Sequence, residues 1–237
     1  MQPLKVLISG GFDGACRQLL PEFERASGIK VATGSGSSQG TGPQVIAAQL
    51  ARGVPADVVI LSREGLDELI AASRIVPGTD ADLASALIGI AVRAGAPKPD
   101  VSSADALKRA LLSAKTVAVP ASTSGIFLVK DVFPRLGVAE RIDVAVTPRG
   151  AGAAAMVAAG EAKLGLLPVS EILSAAGVDF AGTIPAEVQL DQAFSAAVVA
   201  GSTALEQAKA LIAFLASEQA DEAIRKSGMK PLRRPSA

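Results

Sequence analysis

Short apolar runs of strand length recur along this chain, and between most of them lies a segment with helical spacing. Leu4–Ser9 is the first run; Gly10-Gly11 breaks it, and Ala15–Ser27 follows with apolar residues on one helical face until Gly28 ends it. Ile29–Thr33 reads as a second strand and opens into a small-residue loop at 34–42. Pro43 suits a first helical turn, and Gln44–Arg52 reads as a helix closed by Gly53. Asp57–Leu61 reads as a third, buried strand, followed by a helix over Gly65–Ala72. Strands that alternate with helices in this way pair in parallel and are covered on both faces. The expected fold is therefore α/β, with mixed, mostly parallel sheets and helices on both faces.

The pattern shifts after Pro77. Ile88–Arg93 reads as a strand crossing into a second lobe. That lobe contains helices over Ala104–Ala114, Gly125–Leu136, Gly152–Ala159 and Glu171–Ala175. Its strands are Thr116–Pro120, Asp143–Val146, Leu164–Pro168 and a run near Phe180. Phe194–Ala200 reads as a strand returning to the first lobe, where Leu205–Ser217 and Gln219–Lys226 form terminal helices. With no repeat and no long linker, the expected division is 1–84 plus 196–237 against 85–195.

Composition removes several classes of function. The chain has 237 residues and no His, so Ser-His and Cys-His catalysis and His-ligated metal sites are excluded. No metal or other cofactor is called for. Lys plus Arg and Asp plus Glu both number 23, so there is no basic surplus for nucleic acid; the pair Arg233-Arg234 reads as a solvated tail. Cys16 is the single cysteine and reads as a buried, inert thiol. No stretch approaches the roughly 20 apolar residues of a membrane span, and the N-terminus carries no signal-peptide pattern. That leaves either a cytoplasmic location or a leader already removed. A monomer is expected.

Four loops rich in Gly, Ser and Thr follow strands and precede helices: Ser9-Gly10-Gly11 with Phe12, Ser35–Thr41 with Ser37, Ser38 and Thr41, Ser122-Thr123-Ser124-Gly125, and Pro148-Arg149-Gly150. Parallel sheets bind ligands beyond the carboxyl ends of their strands. A helix N-terminus there presents unpaired N–H groups, and hydroxyls add neutral donors, so an anion can be held without a matching cation. The same residues also serve as ordinary helix caps, and the sequence leaves both readings open. Arg149 can grip a carboxylate with two parallel hydrogen bonds, or lie solvated on the surface. The stretch 34–42 lacks the Lys of a phosphate loop and the spacing of a dinucleotide fingerprint.

Several segments, in this order, resemble the molybdate-binding type of periplasmic solute-binding protein. They are Lys5-Val-Leu-Ile-Ser9, Gly36-Ser-Ser38, Gln49-Leu-Ala-Arg-Gly53 with Pro55-Ala-Asp-Val-Val-Ile60, and Ala159-Gly-Glu-Ala-Lys-Leu-Gly165, followed by a closing helix at Ala208–Ser217. The resemblance implies a two-lobed type 2 periplasmic-binding-protein fold with a ligand cleft between the lobes, a periplasmic location, and an ABC transporter permease as partner. Carried over by position, ligand contacts fall near Gly11, Ser38, Ser124, Gly150 and Pro168. Two of these depart from the family: Gly11 stands where a Ser hydroxyl is expected, and Pro168 where a Tyr hydroxyl is expected. Both changes remove donors and imply extra room, so the resemblance points away from molybdate and towards an organic polycarboxylate.

Ser9-Gly-Gly-Phe12 with Gly40-Thr-Gly-Pro-Gln44 is similar to the branch of this family that contains bacterial aconitate isomerase. The leading expectation is a solute-binding protein for a small organic anion serving ABC-type uptake. The alternative is an aconitate isomerase-like enzyme that moves a proton along an unsaturated tricarboxylate. A molybdate or tungstate receptor is the weaker third. An isomerase needs a base; Asp13 lies near the first loop but reads better as an exposed acid at a helix start.

Overall fold

The computed structural model describes residues 2–232, so the tail pair Arg233-Arg234 lies outside the described residues. Ten strands and ten α-helices, mostly alternating, lie among the described residues. The strands are β1 (Leu4–Ser9), β2 (Val31–Gly36), β3 (Val58–Ser62), β4 (Ala81–Arg93), β5 (Thr116–Pro120), β6 (Asp143–Thr147), β7 (Leu164–Pro168), β8 (Val178–Thr183), β9 (Asp191–Val198) and β10 (Lys230–Pro231). The helices are α1 (Gly10–Ser27), α2 (Ile46–Ala51), α3 (Arg63–Ala71), α4 (Ala104–Ala114), α5 (Thr123–Phe127), α6 (Phe133–Leu136), α7 (Gly150–Ala159), α8 (Val169–Leu173), α9 (Leu205–Leu215) and α10 (Asp221–Lys226). Two compact units result. The first ends at Ser85 and resumes at Ala193; the second is Ala86–Gln192. The chain leaves the first unit within β4 and re-enters it within β9.

In the first unit the sheet order is β2-β1-β3-β9-β4, with β10 added on β4. β1 pairs in parallel with both β2 and β3, and β9 runs antiparallel to β3. Val59, Leu61, Leu66 and Leu69 pack with Ile46 and Leu50 on one side. On the other, α1 meets α9 and α10, and the rings of Phe23 and Phe214 lie 5.6 Å apart. In the second unit β5 pairs in parallel with β6 and β7, while β4 is antiparallel to β7 and β8. Ile88, Ile90, Val117 and Val119 pack against Leu107, Leu111, Leu128 and Phe133, and Ala118 packs against Ala153 and Val157 of α7.

Several element boundaries differ from the sequence reading, each for a physical reason. Gly10-Gly11 does not separate strand from helix: α1 begins directly after Ser9, five residues before Ala15. Gly11 is there for close packing, as described below. β4 begins at Ala81, seven residues before Ile88, because Asp82 and Ser85 interrupt the apolar pattern while both serve the sheet. The helix over 125–136 is continuous with α5 but contains a wider π turn at Leu128–Val132. Pro43 lies outside α2, which starts only at Ile46.

Candidate anion-binding site

In the first unit, strand register brings three loops to one edge. Ser9 pairs with Gly36 across β1 and β2, and Ile8 pairs with Ile60 across β1 and β3. The carboxyl ends of these strands are therefore level, and α1 and α3 both start there. Ser62 caps α3 by accepting a hydrogen bond from the Gly65 N–H at 3.2 Å. Ser38 ties the second loop to this edge, its Oγ accepting from the Ser62 N–H at 2.9 Å, which leaves its own O–H to donate. Ser37 uses its backbone to close its loop, with its N–H donating to the Gln44 carbonyl and its carbonyl accepting from Ile46 N–H. Thr41, in the same loop, is exposed.

Ser9 stands apart from these. It is 2% exposed, precedes α1 without capping it through its side chain, and its Oγ has no hydrogen-bond partner among the described residues. A buried hydroxyl without a partner costs free energy unless something else satisfies it. Phe12, by contrast, is fully buried in the core, so it offers the site only its backbone. Asp13 lies in the first turn of α1 and pairs with Arg17 at 2.6 Å, as expected of a helix-start acid.

Gly11 corrects part of the sequence reading. A Cβ at this position would collide with the Phe194 ring. The room released by the missing Ser side chain is taken up by Phe194, itself 1% exposed, and does not enlarge a ligand site.

In the second unit the parallel register again levels the strand ends: Pro120 pairs with Thr147, and Ala118 with Gly165 two residues upstream. Three helices, α5, α7 and α8, start at this edge. Ser122 is the cap residue of α5 and is half-buried, whereas Thr123 and Ser124 are buried. Gly125 lies so close to the Pro120 carbonyl that no side chain fits. Arg149 precedes α7 and is half-buried, its carbonyl accepting a hydrogen bond from Thr147 Oγ1 at 2.8 Å. At Gly150 a Cβ would run into the Glu171 carboxylate, so an acidic group of α8 already lies against the start of α7. That is electrostatically favourable to the helix.

Pro168 is buried and precedes α8. It donates nothing, as the sequence implies, but Ser170 two residues later is 2% exposed with an Oγ that has no partner among the described residues. Gly11 and Pro168 thus each lie two residues from a buried hydroxyl with no partner among the described residues: Ser9 and Ser170. Ser170 escaped the sequence reading because it stands inside an apolar segment, Leu166–Leu173, and not in a Gly-rich loop. Ser62 was legible in principle, since it follows its strand as Ser9 follows β1.

Among the described residues there is no cluster of metal-ligating side chains and no helix long and apolar enough to cross a membrane. Both units thus place neutral hydroxyls and helix-start amides at the carboxyl ends of their strands, groups that can hold an anion. Residues 4–230 match the family model for bacterial extracellular solute-binding proteins, and the chain belongs to that family. Aconitate isomerase of a Pseudomonas species is 40% identical over 234 residues, covering 97% of this chain and 88% of that protein. The periplasmic molybdate-binding protein of Azotobacter vinelandii superposes with a TM-score of 0.71 at 21% identity, covering 95% of this chain and 98% of its own. The sulfate-binding protein SubI of Mycobacterium tuberculosis gives 0.74 at 22% identity, covering 98% and 88%. These bear out the resemblance to the molybdate type and the two-lobed type 2 periplasmic-binding fold.

Proposed function

We propose that this protein binds an unsaturated tricarboxylate of the aconitate type and interconverts its isomers by moving a proton along the allylic carbons. The observation that carries the reading is a buried hydroxyl with no partner among the described residues at the strand-end edge of each unit, Ser9 in the first and Ser170 in the second. Ser38 and the Gly11 amide are further proposed contacts in the first unit, and Ser124 with Arg149, which can grip a carboxylate, in the second. The 40% identity to an aconitate isomerase over nearly the whole chain supports the substrate class.

The second reading is a receptor that delivers a small organic anion to an ABC transporter permease in the periplasm, which the family itself favours. Calorimetry against cis-aconitate, trans-aconitate, citrate, sulfate and molybdate, followed by an isomerisation assay on any ligand that binds, separates the two. Binding of aconitate with turnover supports the enzyme, and binding without turnover supports the receptor. Tight molybdate binding overturns the substrate class in both.

A further inference from the structure

Glu64 lies in the first turn of α3, two residues beyond the end of β3. Its Oε2 is fully covered and has no hydrogen-bond partner among the described residues. A carboxylate oxygen stripped of water and left unpartnered is costly, and native structures keep such a group where a ligand or a reaction uses it. The neighbouring carboxylates are all engaged. Asp13 pairs with Arg17, and Glu68 accepts from Gln39 Nε2 at 2.6 Å. Asp67, Asp80 and Asp82 all bond to Arg63, and Asp82 also accepts from Ser195. Arg63, next in sequence to Glu64, is therefore saturated by three carboxylates and does not neutralise it.

The register brings the start of α3, which carries Glu64, to the same sheet edge as Ser9. Ile8 pairs with Ile60, so β1 ends opposite the end of β3, and the two residues stand at the same edge of adjacent strands. One supplies an unpartnered carboxylate oxygen and the other an unpartnered hydroxyl. We infer that Glu64 is the proton-transfer residue for the allylic shift and that Ser9 donates a hydrogen bond to a carboxylate of the reacting acid; the inference rests on the isomerase reading above.

The step balances without a co-reactant. Glu64 removes a proton from the methylene carbon next to the C=C unit, and the C–H electron pair spreads over the three-carbon system and its carboxylates. Glu64 then delivers a proton, either the one it took or one exchanged with solvent, to the far carbon of that unit, and the double bond re-forms between the other two. Glu64 ends as the carboxylate it began as, and nothing is oxidised or reduced.

The test uses the full chain and the variants Glu64→Gln and Glu64→Asp. Trans-aconitate in D2O is followed by proton NMR, which reads both isomerisation and washout of the methylene protons. Binding of tricarballylate, the saturated analogue, is measured by calorimetry. Glu64→Gln is expected to slow both NMR processes by about 100-fold or more, to keep its affinity for tricarballylate, and to melt no lower than the parent. Rates near those of the parent, or loss of rate and affinity in the same proportion, would overturn the assignment. If Glu64→Gln does not fold, Glu64→Asp decides: its carboxylate is one methylene short, so parent-like rates overturn the proposal and slowed rates with retained binding uphold it. A parent protein that neither isomerises nor exchanges protons defeats the isomerase reading itself, a failure distinct from an active Glu64→Gln variant.

Discussion

The Phe194 ring occupies the space beside Gly11 that any side chain there would need. The register makes this contact: Phe194 pairs with Ser62 as β9 runs antiparallel to β3, next to the start of α1. The glycine that looks like a lost ligand donor is thus also a packing requirement. Gly11→Ser should not restore a molybdate site. It should destabilise the fold by about 1–3 kcal/mol, the usual cost of overpacking a filled core, read as a lower denaturation midpoint with an unchanged slope. Molybdate protection of this variant against heat would contradict the packing account.

Ser9→Ala and Ser170→Ala remove hydroxyls that have no protein partner, so neither variant should lose stability. Each should weaken ligand binding, since a hydrogen bond to a charged group is worth about 1.5–3 kcal/mol, or roughly tenfold and more. Thermal melts and calorimetry on the same samples check both halves. Loss of stability with unchanged affinity would return these residues to structural roles.

Arg149→Ala should weaken carboxylate binding by more than about tenfold, and Arg149→Lys should recover little, because an ammonium cannot make two parallel hydrogen bonds to one carboxylate. Titration of both variants with the same tricarboxylate tests this. Unchanged affinity in Arg149→Ala would show that Arg149 serves only the start of α7.

Burial pushes the Cys16 thiol far above its ordinary value of 9.0, and the nearby Asp13 charge adds to the shift. Below pH 9 both the folded and unfolded chains hold this proton, so Cys16 adds no pH dependence there. Above it the unfolded chain releases the proton while the folded chain keeps it, so stability falls as pH rises, by up to about 1.4 kcal/mol per pH unit. Cys16→Ala should show a shallower decline between pH 9 and 11 in chemical denaturation. In the native protein the thiol should resist disulfide-exchange reagents; rapid labelling would contradict its burial.

The fold was largely legible because its information is local. Runs such as Val58–Leu61 and Leu164–Pro168 are strands from composition alone, and their alternation with helices dictates parallel pairing. β4 was only half legible, because Asp82 and Ser85 owe their places to Ser195 and β10, partners far away in sequence. The site was legible where Gly, Ser and Thr cluster, as at Ser38 and Ser124. Phe12 resisted the same logic, since burial turns its ring into core. Ser170 and Glu64 were hidden for the opposite reason: what marks them is the lack of a partner in the folded chain, which no sequence pattern displays.

The most direct measurement is proton NMR of the protein with cis-aconitate in buffered water. The account predicts that signals of trans-aconitate grow in until the two isomers reach a fixed ratio, and that the same ratio is reached from trans-aconitate. An unchanged spectrum from either isomer, at a protein concentration where calorimetry shows the ligand bound, would contradict it and leave a receptor in place of an enzyme.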